Sequence, residues 1–225
     1  MLLDPYEFQS VSITHIIREA EKAVSVQLSV PDGYSFLPGQ HAILRVSFDD
    51  TKLMRQYSFS SAPSSGEVWF TVVETPKGAV SSWFNQTAKV GDVVEISRPF
   101  TGPLVQVLPR GKICMIAGGS GIAPLMSLLR EQRAIGVAQP VSFLYSTRSS
   151  ERCFKNELSP GPNEAILVQL SDIADRLSKT TVIDATRGCS GILICGSRSF
   201  VTDMRALCAD NSPGAVLYSE AFTLQ

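Results

Sequence analysis

The stretch from Gly118 to Pro124, Gly-Gly-Ser-Gly-Ile-Ala-Pro, limits what the middle of this chain can form. An apolar run, residues 113–117, leads into it, and Leu125, Leu128 and Leu129 follow it at helical spacing. The closing proline suits a first helical turn, where a missing N–H group costs nothing. A strand, a glycine turn and a helix in this order direct backbone N–H groups and the positive end of the helix dipole at a phosphate. The stretch therefore predicts a phosphate-binding turn of the kind that holds a dinucleotide.

The same glycines have a second interpretation. The stretch lacks the Gly-Lys-Ser/Thr of a P-loop and the spacing of G-x-G-x-x-G, so a tight turn without a ligand remains an alternative. Its position after a strand favours ligand binding, because open α/β sheets bind ligands at the carboxyl ends of their strands.

The first hundred or so residues have the pattern of antiparallel strands. Apolar and polar residues alternate over 24–30 and again over 42–48, which is the period of a half-buried strand. One helix is predicted at 79–89. Several short strands at this spacing indicate a small barrel or a sandwich. The other predicted strands are 56–60, 68–74 and 93–97.

From about residue 110 the apolar runs become continuous, and helical patterns fall between them. Continuous strands separated by helices predict a parallel, Rossmann-like α/β sheet covered on both faces. The predicted strands are 113–117, 141–145, 165–170, 192–195 and 215–218. The predicted helices are 122–135, 151–158, 172–178 and 199–208. We therefore expect two domains, a barrel over residues 1–106 and an α/β domain over residues 107–225.

Charge, hydropathy and cysteine content exclude several classes of protein. The formal net charge is −1 and the basic residues are scattered, so no surface for nucleic acid is predicted. No apolar run approaches the ~20 residues of a membrane span, and the first residues lack the order of a signal peptide. The five cysteines include no C-x-x-C pair, which disfavours a disulfide framework, a zinc ribbon or an iron–sulfur loop. We expect a cytoplasmic protein that binds no metal ion.

A second group of polar residues, Arg55-Gln56-Tyr57-Ser58, lies on a predicted strand. An arginine can bind a phosphate through two hydrogen bonds, and a tyrosine two residues later can lie against a planar heterocycle. The neighbouring serine hydroxyl can donate to or accept from a ring nitrogen. Taken alone, an edge strand with a polar outer face would explain the same residues.

Three shorter patterns each allow two interpretations. Gly78-Ala79-Val80-Ser81 opens the predicted helix with free N–H groups, or simply with a serine cap. Cys195-Gly196 ends a buried strand, where the thiol is either inert packing or adjacent to a ligand. Glu220, near the C-terminus, is either a solvated carboxylate or a proton-transfer group.

In this order and spacing the patterns resemble the ferredoxin–NADP reductase family, whose members join a flavin-binding barrel to a nicotinamide-binding parallel domain. Arg55-x-Tyr57-Ser58 is similar to the family's R-x-Y-[ST] flavin motif, and Gly78-x-x-Ser81 to its second flavin phosphate motif. Gly118 to Pro124 is similar to G-G-[ST]-G-[IL]-[AT]-P. Cys195-Gly196 resembles the C-G-P motif, and Glu220-Ala221-Phe222 resembles the E-x-F motif that closes over the flavin.

The resemblance implies roles for individual residues. Arg55 would hold a flavin phosphate, Tyr57 would stack on the isoalloxazine ring, and Ser58 would hydrogen-bond near its N5. Ser58, Cys195 and Glu220 would tune hydride transfer. The residues implied to bind flavin are Arg55, Gln56, Tyr57, Ser58, Val72, Val73, Glu74, Gly78, Ala79, Val80, Ser81 and Phe222. The residues implied to bind the nicotinamide nucleotide are Gly119, Ser120, Gly121, Ile122, Ala123, Pro124, Thr147, Arg148, Cys195 and Gly196.

The function that the resemblance implies is that of an NAD(P)H oxidoreductase with FAD, or alternatively FMN, as its flavin. Hydride would pass from the nicotinamide to flavin N5, and electrons would then go to a separate protein or small-molecule acceptor. The chain is expected to be a monomer. It is also expected to lack a fused ferredoxin module, because its cysteines do not have the spacing that binds an iron–sulfur cluster. A free-flavin reductase and a non-catalytic redox-sensing subunit remain alternatives. No acidic residue directly follows Tyr145, which slightly favours NADPH over NADH.

Overall fold

The computed structural model describes residues 7–48, 51–105, 109–137, 139–174 and 176–222. Alternating apolar residues build its first sheet, as in the third strand, where Ala42, Leu44 and Val46 are buried. The strands of this sheet are β1 (Gln9–Ala20), β2 (Ala23–Leu28), β3 (His41–Phe48), β4 (Thr51–Ser58), β5 (Val68–Val73) and β6 (Val93–Ile96). They lie in the order β4-β3-β6-β1-β2-β5, with antiparallel pairing between neighbours. A pairing of Phe59 with Phe70 joins the two edge strands and closes the sheet into a barrel.

The long strand β1 is missing from the sequence prediction. Its pairing with β2 is irregular between Ile13 and His15 and again between Arg18 and Ala20. Such β-bulges add a residue to one strand and interrupt the alternation from which a strand is recognised. The predicted helix of this half is confirmed as α1 (Ala79–Gln86), which packs its buried Val80 and Phe84 against the barrel core.

The second half forms the predicted parallel sheet. Its strands are β7 (Ile113–Gly118), β8 (Val141–Thr147), β9 (Glu164–Leu170), β10 (Gly191–Ser197) and β11 (Val216–Phe222). Its helices are α2 (Ile122–Ala134), α3 (Lys179–Thr186) and α4 (Arg198–Asn211). The strand order is β11-β10-β7-β8-β9, so the chain reverses its winding direction between β7 and β10. The glycine stretch follows β7 and thus lies at this switch point, where open α/β sheets bind ligands.

Two helix predictions in this half are wrong. Residues 151–158 contain only the end of a short 3-10 turn, Ser149–Glu151, because Phe154 adopts a left-handed φ of 57° that a helix does not allow. The described residues of 172–178 are not helical either. The helix there begins later, at Lys179, where the Ser178 hydroxyl accepts a hydrogen bond from the Thr181 N–H group and caps it. The predicted domain boundary, between residues 106 and 107, lies outside the described residues.

Helix α2 ties the two sheets together. The buried Ser127 hydroxyl donates to the Ser61 carbonyl oxygen at 2.7 Å, and Arg130 Nη1 donates to the Ser60 carbonyl oxygen at 2.6 Å. The Ser64 N–H group and hydroxyl both donate to Glu131. The helix that follows the glycine stretch is therefore bonded directly to the loop that follows β4. None of the described helices is long and apolar enough to span a membrane.

Candidate functional site

A pocket of about 380 Å³ lies where the barrel meets the parallel sheet. It is lined by strands β3, β4, β5 and β11, by α1 and by the glycine stretch. Its lining residues are His41, Ile43, Met54, Arg55, Gln56, Tyr57, Ser58, Thr71, Val73, Thr75, Gly78, Val80, Ser81, Ser120, Ala123, Glu220, Ala221 and Phe222. Three of the sequence patterns therefore open into one pocket, together with two residues of the glycine stretch.

Strand β4 brings a cationic, an aromatic and a hydroxyl side chain into the pocket wall. Arg55 is partly exposed, and its Nη1 donates to the Met54 carbonyl oxygen at 2.7 Å. The Tyr57 ring packs edge-on against Phe84 of α1 at a centroid distance of 5.9 Å. Burial raises the pKa of Tyr57, so its phenol stays protonated at neutral pH. Ser58 is buried and pairs with the first residue of β3.

The turn before α1 forms a small polar cradle. The hydroxyls of Thr75 and Ser81 lie 2.9 Å apart, and Ser81 Oγ also donates to the Gly78 carbonyl oxygen. A Cβ atom at Gly78 would lie only 2.2 Å from Thr75 Oγ1 and 2.5 Å from Ser81 Oγ, so any larger residue would displace these hydroxyls. No described side chain caps this helix, which leaves its first N–H groups available to a phosphate.

The glycine stretch packs directly against the end of β10. A Cβ atom at Gly121 would lie 2.3 Å from the Cys195 carbonyl oxygen and 2.6 Å from the Gly196 nitrogen. The Phe200 ring covers Gly118 and Gly196, where added Cβ atoms would lie within 2.8 Å of it. These two sequence patterns therefore form a single packing unit at the switch point of the sheet.

The Cys195 side chain is fully buried and does not line the pocket. Burial, with a smaller contribution from the charge of Glu220, raises the pKa of the thiol well above its usual value. The thiol is therefore protonated at neutral pH. Cys195 contributes to the site through its backbone, which contacts Gly121.

Glu220 reaches from β11 of the parallel sheet into the barrel side of the pocket. One carboxylate oxygen lies 4.0 Å from His41 Nδ1, and an added Cβ at Gly102 would lie 2.7 Å from the other. Among the described residues, neither His41 Nδ1 nor Glu220 Oε2 has a hydrogen-bond partner. Burial raises the pKa of Glu220 to about 7 and lowers that of His41. At neutral pH His41 is therefore mostly neutral, whereas Glu220 is present in both protonation states, so the contact is not a fixed salt bridge.

Replacing Glu220 with glutamine is expected to reduce the pH dependence of stability. Because the folded-state pKa is raised from 4.5 to about 7, protonation stabilises the fold fully below pH 4.5, and this contribution is lost as the pH rises through 7. Urea unfolding of the flavin-free protein gives the free energy of unfolding. Raising the pH from 5 to 8 should lower it by roughly 2 kcal/mol more in the wild type than in Glu220→Gln. The exposed Glu21→Gln serves as the control, and equal losses in all three proteins would contradict the assignment.

The remaining sequence-predicted residues do not line this pocket. Val72 is buried in the barrel core and Glu74 follows β5, whereas Thr147 and Arg148 lie at the carboxyl end of β8. Ala79, Gly119, Gly121, Ile122 and Pro124 adjoin lining residues along the chain, whereas Gly196 packs against Gly118 and Phe200.

The sequence interpretation missed six lining residues, which are His41, Ile43, Met54, Thr71, Thr75 and Ala221. Two of them were within reach of the sequence. Strands β3 and β4 form a hairpin, and its register places His41 opposite Ser58 and Ile43 opposite Gln56. Because paired residues lie at equal distances from the turn of a hairpin, His41 and Ile43 could have been identified from the positions of Ser58 and Gln56.

The pocket has the features that a flavin requires. Val73, Val80 and Phe222 give it apolar walls, and Arg55 and the start of α1 give it phosphate donors. Two side chains that line it, Glu220 and His41, carry buried polar atoms, Oε2 and Nδ1, for which the described part of the chain offers no hydrogen-bond partner. Atoms of this kind indicate a group that completes their hydrogen bonding when it is bound.

Comparison with known proteins agrees with this geometry. Residues 10–105 match the family described as "Oxidoreductase FAD-binding domain". The chain is 32% identical over 136 residues, 60% of its length, to the toluate 1,2-dioxygenase electron transfer component of Pseudomonas putida. It is 25% identical over 247 residues, 97% of its length, to the propane 2-monooxygenase reductase component of Rhodococcus jostii (strain RHA1). These matches cover 40% and 65% of the relatives, so the chain spans less than two thirds of their length.

Solved structures show the same fold. A ferredoxin NADP+ reductase from Neisseria gonorrhoeae with bound FAD and NADP superposes with a TM-score of 0.81, at 20% identity over 95% of this chain and 98% of that one. Phthalate dioxygenase reductase superposes with a TM-score of 0.75, at 23% identity over 95% of this chain and 68% of that one. The predicted combination of an antiparallel barrel with a parallel α/β sheet is thereby confirmed.

Proposed function

We propose that the chain is a member of the ferredoxin–NADP reductase family and acts as an NAD(P)H-dependent flavoprotein reductase that passes electrons to a separate acceptor. One observation carries this proposal, namely that Arg55–Ser58, the glycine stretch and Glu220 open into a single pocket. FAD, when bound there, supplies the redox chemistry by accepting hydride from the nicotinamide and releasing electrons. The residues of the chain supply binding, orientation and control of protons.

On the flavin side, we assign phosphate binding to Arg55 and to the N–H groups at the start of α1. A bidentate guanidinium and a helix N-terminus are both suited to a pyrophosphate. Tyr57 and the backbone of residues 72–74 would line the flavin ring and its ribityl chain, with Ser58 hydrogen-bonding at the ring edge. Phe222 would cover the ring and exclude water.

On the nucleotide side, we assign pyrophosphate binding to backbone N–H groups of Gly119 to Ala123. No described side chain caps α2, although the Ile122 N–H group already bonds to the carbonyl oxygens of Gly119 and Ser120. Thr147 and Arg148 would contact the adenosine half. The contact between Gly121 and Cys195 would set the nicotinamide half against the pocket, so the role of Cys195 is to position and not to act as a nucleophile.

Glu220 would hold a proton beside the flavin. Its carboxyl is buried, its pKa of about 7 allows both protonation states near neutral pH, and His41 lies 4.0 Å away as a possible proton partner. The hydrogen bonds of α2 to the loop after β4 would keep the two halves of the site in a fixed orientation, which hydride transfer requires.

The relatives suggest the kind of acceptor. Toluate 1,2-dioxygenase electron transfer component and propane 2-monooxygenase reductase component are named for oxygenase systems. We infer that the acceptor of this chain is likewise a separate oxygenase component or a ferredoxin. The proposal also includes a division into two domains (residues 1–106 and 107–225), a monomeric state and a cytoplasmic location.

The test is an absorbance spectrum of the purified protein followed by anaerobic addition of NADH or NADPH. We expect a yellow protein whose flavin absorbance is bleached within seconds and whose flavin stays bound through turnover. A protein that binds no added FAD would overturn the proposal. Flavin that is bound but not reduced would favour the redox-sensing alternative, and flavin released in each cycle would favour a free-flavin reductase.

A further inference from the structure

The carboxyl ends of β8 and β9 form the part of the sheet edge that adjoins the glycine stretch. Gly118 of β7 pairs with Ser146 of β8, and Thr147 pairs with Leu170 of β9. A dinucleotide whose pyrophosphate lies on the glycine stretch extends its adenosine half over the next strand end. Residues just beyond β8 and β9 are therefore placed to contact the adenosine ribose.

An acidic side chain from beyond β9 reaches back to the end of β8. Asp172 Oδ1 accepts a hydrogen bond of 2.9 Å from the Ser149 N–H group, and its Oδ2 accepts one from the Ser149 hydroxyl. Both donors that Ser149 would offer to a phosphate are thus already used. These bonds lower the pKa of Asp172, whose side chain is exposed and ionised at neutral pH.

Carboxylates neutralise the positive charge of the arginine at this edge of the sheet. Arg148 Nη1 lies 3.3 Å from Glu151 Oε1, and the positive charge of Arg148 also lowers the pKa of Asp172. Arg152 follows; it is partly exposed, and its Nε is buried without a hydrogen-bond partner among the described residues. The four charges of Arg148, Glu151, Arg152 and Asp172 sum to zero, so the edge lacks the excess positive charge that a 2′-phosphate requires.

We propose that Asp172, held in place by Ser149, makes this chain select NADH over NADPH. Its carboxylate accepts a hydrogen bond from the ribose 2′-hydroxyl of NADH and repels the 2′-phosphate of NADPH. The absence of an acid directly after Tyr145 favours the opposite preference at the level of sequence, but the acid is supplied by the neighbouring strand. This inference rests on the proposed nucleotide site and adds its specificity.

The test measures binding without turnover. Isothermal titration calorimetry of the flavin-loaded protein with 5′-ADP and with 2′,5′-ADP should give a dissociation constant at least about tenfold lower for 5′-ADP. Asp172→Asn removes the charge and is expected to tighten 2′,5′-ADP binding about tenfold, with less than about a threefold change for 5′-ADP. The control is Asp184→Asn, the same charge change near the end of α3, where Asp184 pairs with Arg187 and where Lys112, just before β7, donates to the Ala185 carbonyl oxygen. It should leave both constants unchanged.

Two other results would overturn the inference in distinguishable ways. A wild-type preference for 2′,5′-ADP, or a ratio of constants that Asp172→Asn leaves unchanged, would overturn the assigned specificity alone. Binding of neither nucleotide by flavin-loaded protein would overturn the nucleotide site itself and the inference with it.

Discussion

Replacing Gly121 with alanine is expected to destabilise the parallel domain by roughly 3 kcal/mol and to weaken nucleotide binding together with it. The added Cβ would lie 2.3 Å from the Cys195 carbonyl oxygen and 2.4 Å from its carbonyl carbon. These are backbone atoms of a central strand, so they cannot move aside as a flexible side chain would. The glycine stretch must then shift away from β10, and the N–H groups that would bind the pyrophosphate shift with it.

The matched control for this variant is Gly214→Ala. No atom lies within 4 Å of a Cβ built there, and the backbone of Gly214 does not have a positive φ. Its unfolding free energy should change by less than about 0.5 kcal/mol. Urea unfolding gives the stability, and calorimetric titration with 5′-ADP gives the affinity. A Gly121→Ala protein that matches the wild type in both measurements would contradict the packing described above.

Replacing Arg55 with alanine is expected to raise the dissociation constant of FAD roughly 10- to 100-fold. Arg55 is the arginine among the residues that line the pocket, and its guanidinium would make charge-assisted hydrogen bonds to the flavin pyrophosphate. Arg55→Lys should give a smaller loss, because it retains the charge but not the two parallel donors. Quenching of flavin fluorescence on titration with protein gives the constants.

The variant Arg187→Ala is the control that distinguishes an effect on flavin binding from a general effect of losing a positive charge. Arg187 is exposed, and its Nη2 pairs with Asp184. We expect its FAD affinity to stay within twofold of the wild type. If Arg55→Ala bound FAD as tightly as this control, the phosphate would have to lie elsewhere, with the start of α1 as the next place to examine.

Local pattern was sufficient for most of the secondary structure. The continuous apolar runs became parallel strands, and the leucines after the glycine stretch became α2, because burial and periodicity act over a few residues. The errors also have local causes. Bulges interrupted the alternation of β1, and a left-handed Phe154 ended a helical pattern that composition alone favoured.

The candidate site depended on more than local pattern. Motif residues such as Arg55 and Gly78 were recognised because glycine turns and paired functional side chains leave a short-range signature. His41 and Thr75 leave no such signature, because they belong to the pocket only through strand pairing and a turn.

The sequence by itself determined the two kinds of sheet, the glycine turn between β7 and α2, and the order of the motifs along the chain. Only the tertiary structure decided that these motifs share one pocket, that Cys195 is buried behind Gly121, and that Asp172 reaches Ser149 from the next strand. The physical reason is the range of the interactions. Periodicity and turn chemistry act between neighbours in the chain, whereas contacts across the pocket depend on strand order and packing between residues far apart in the sequence.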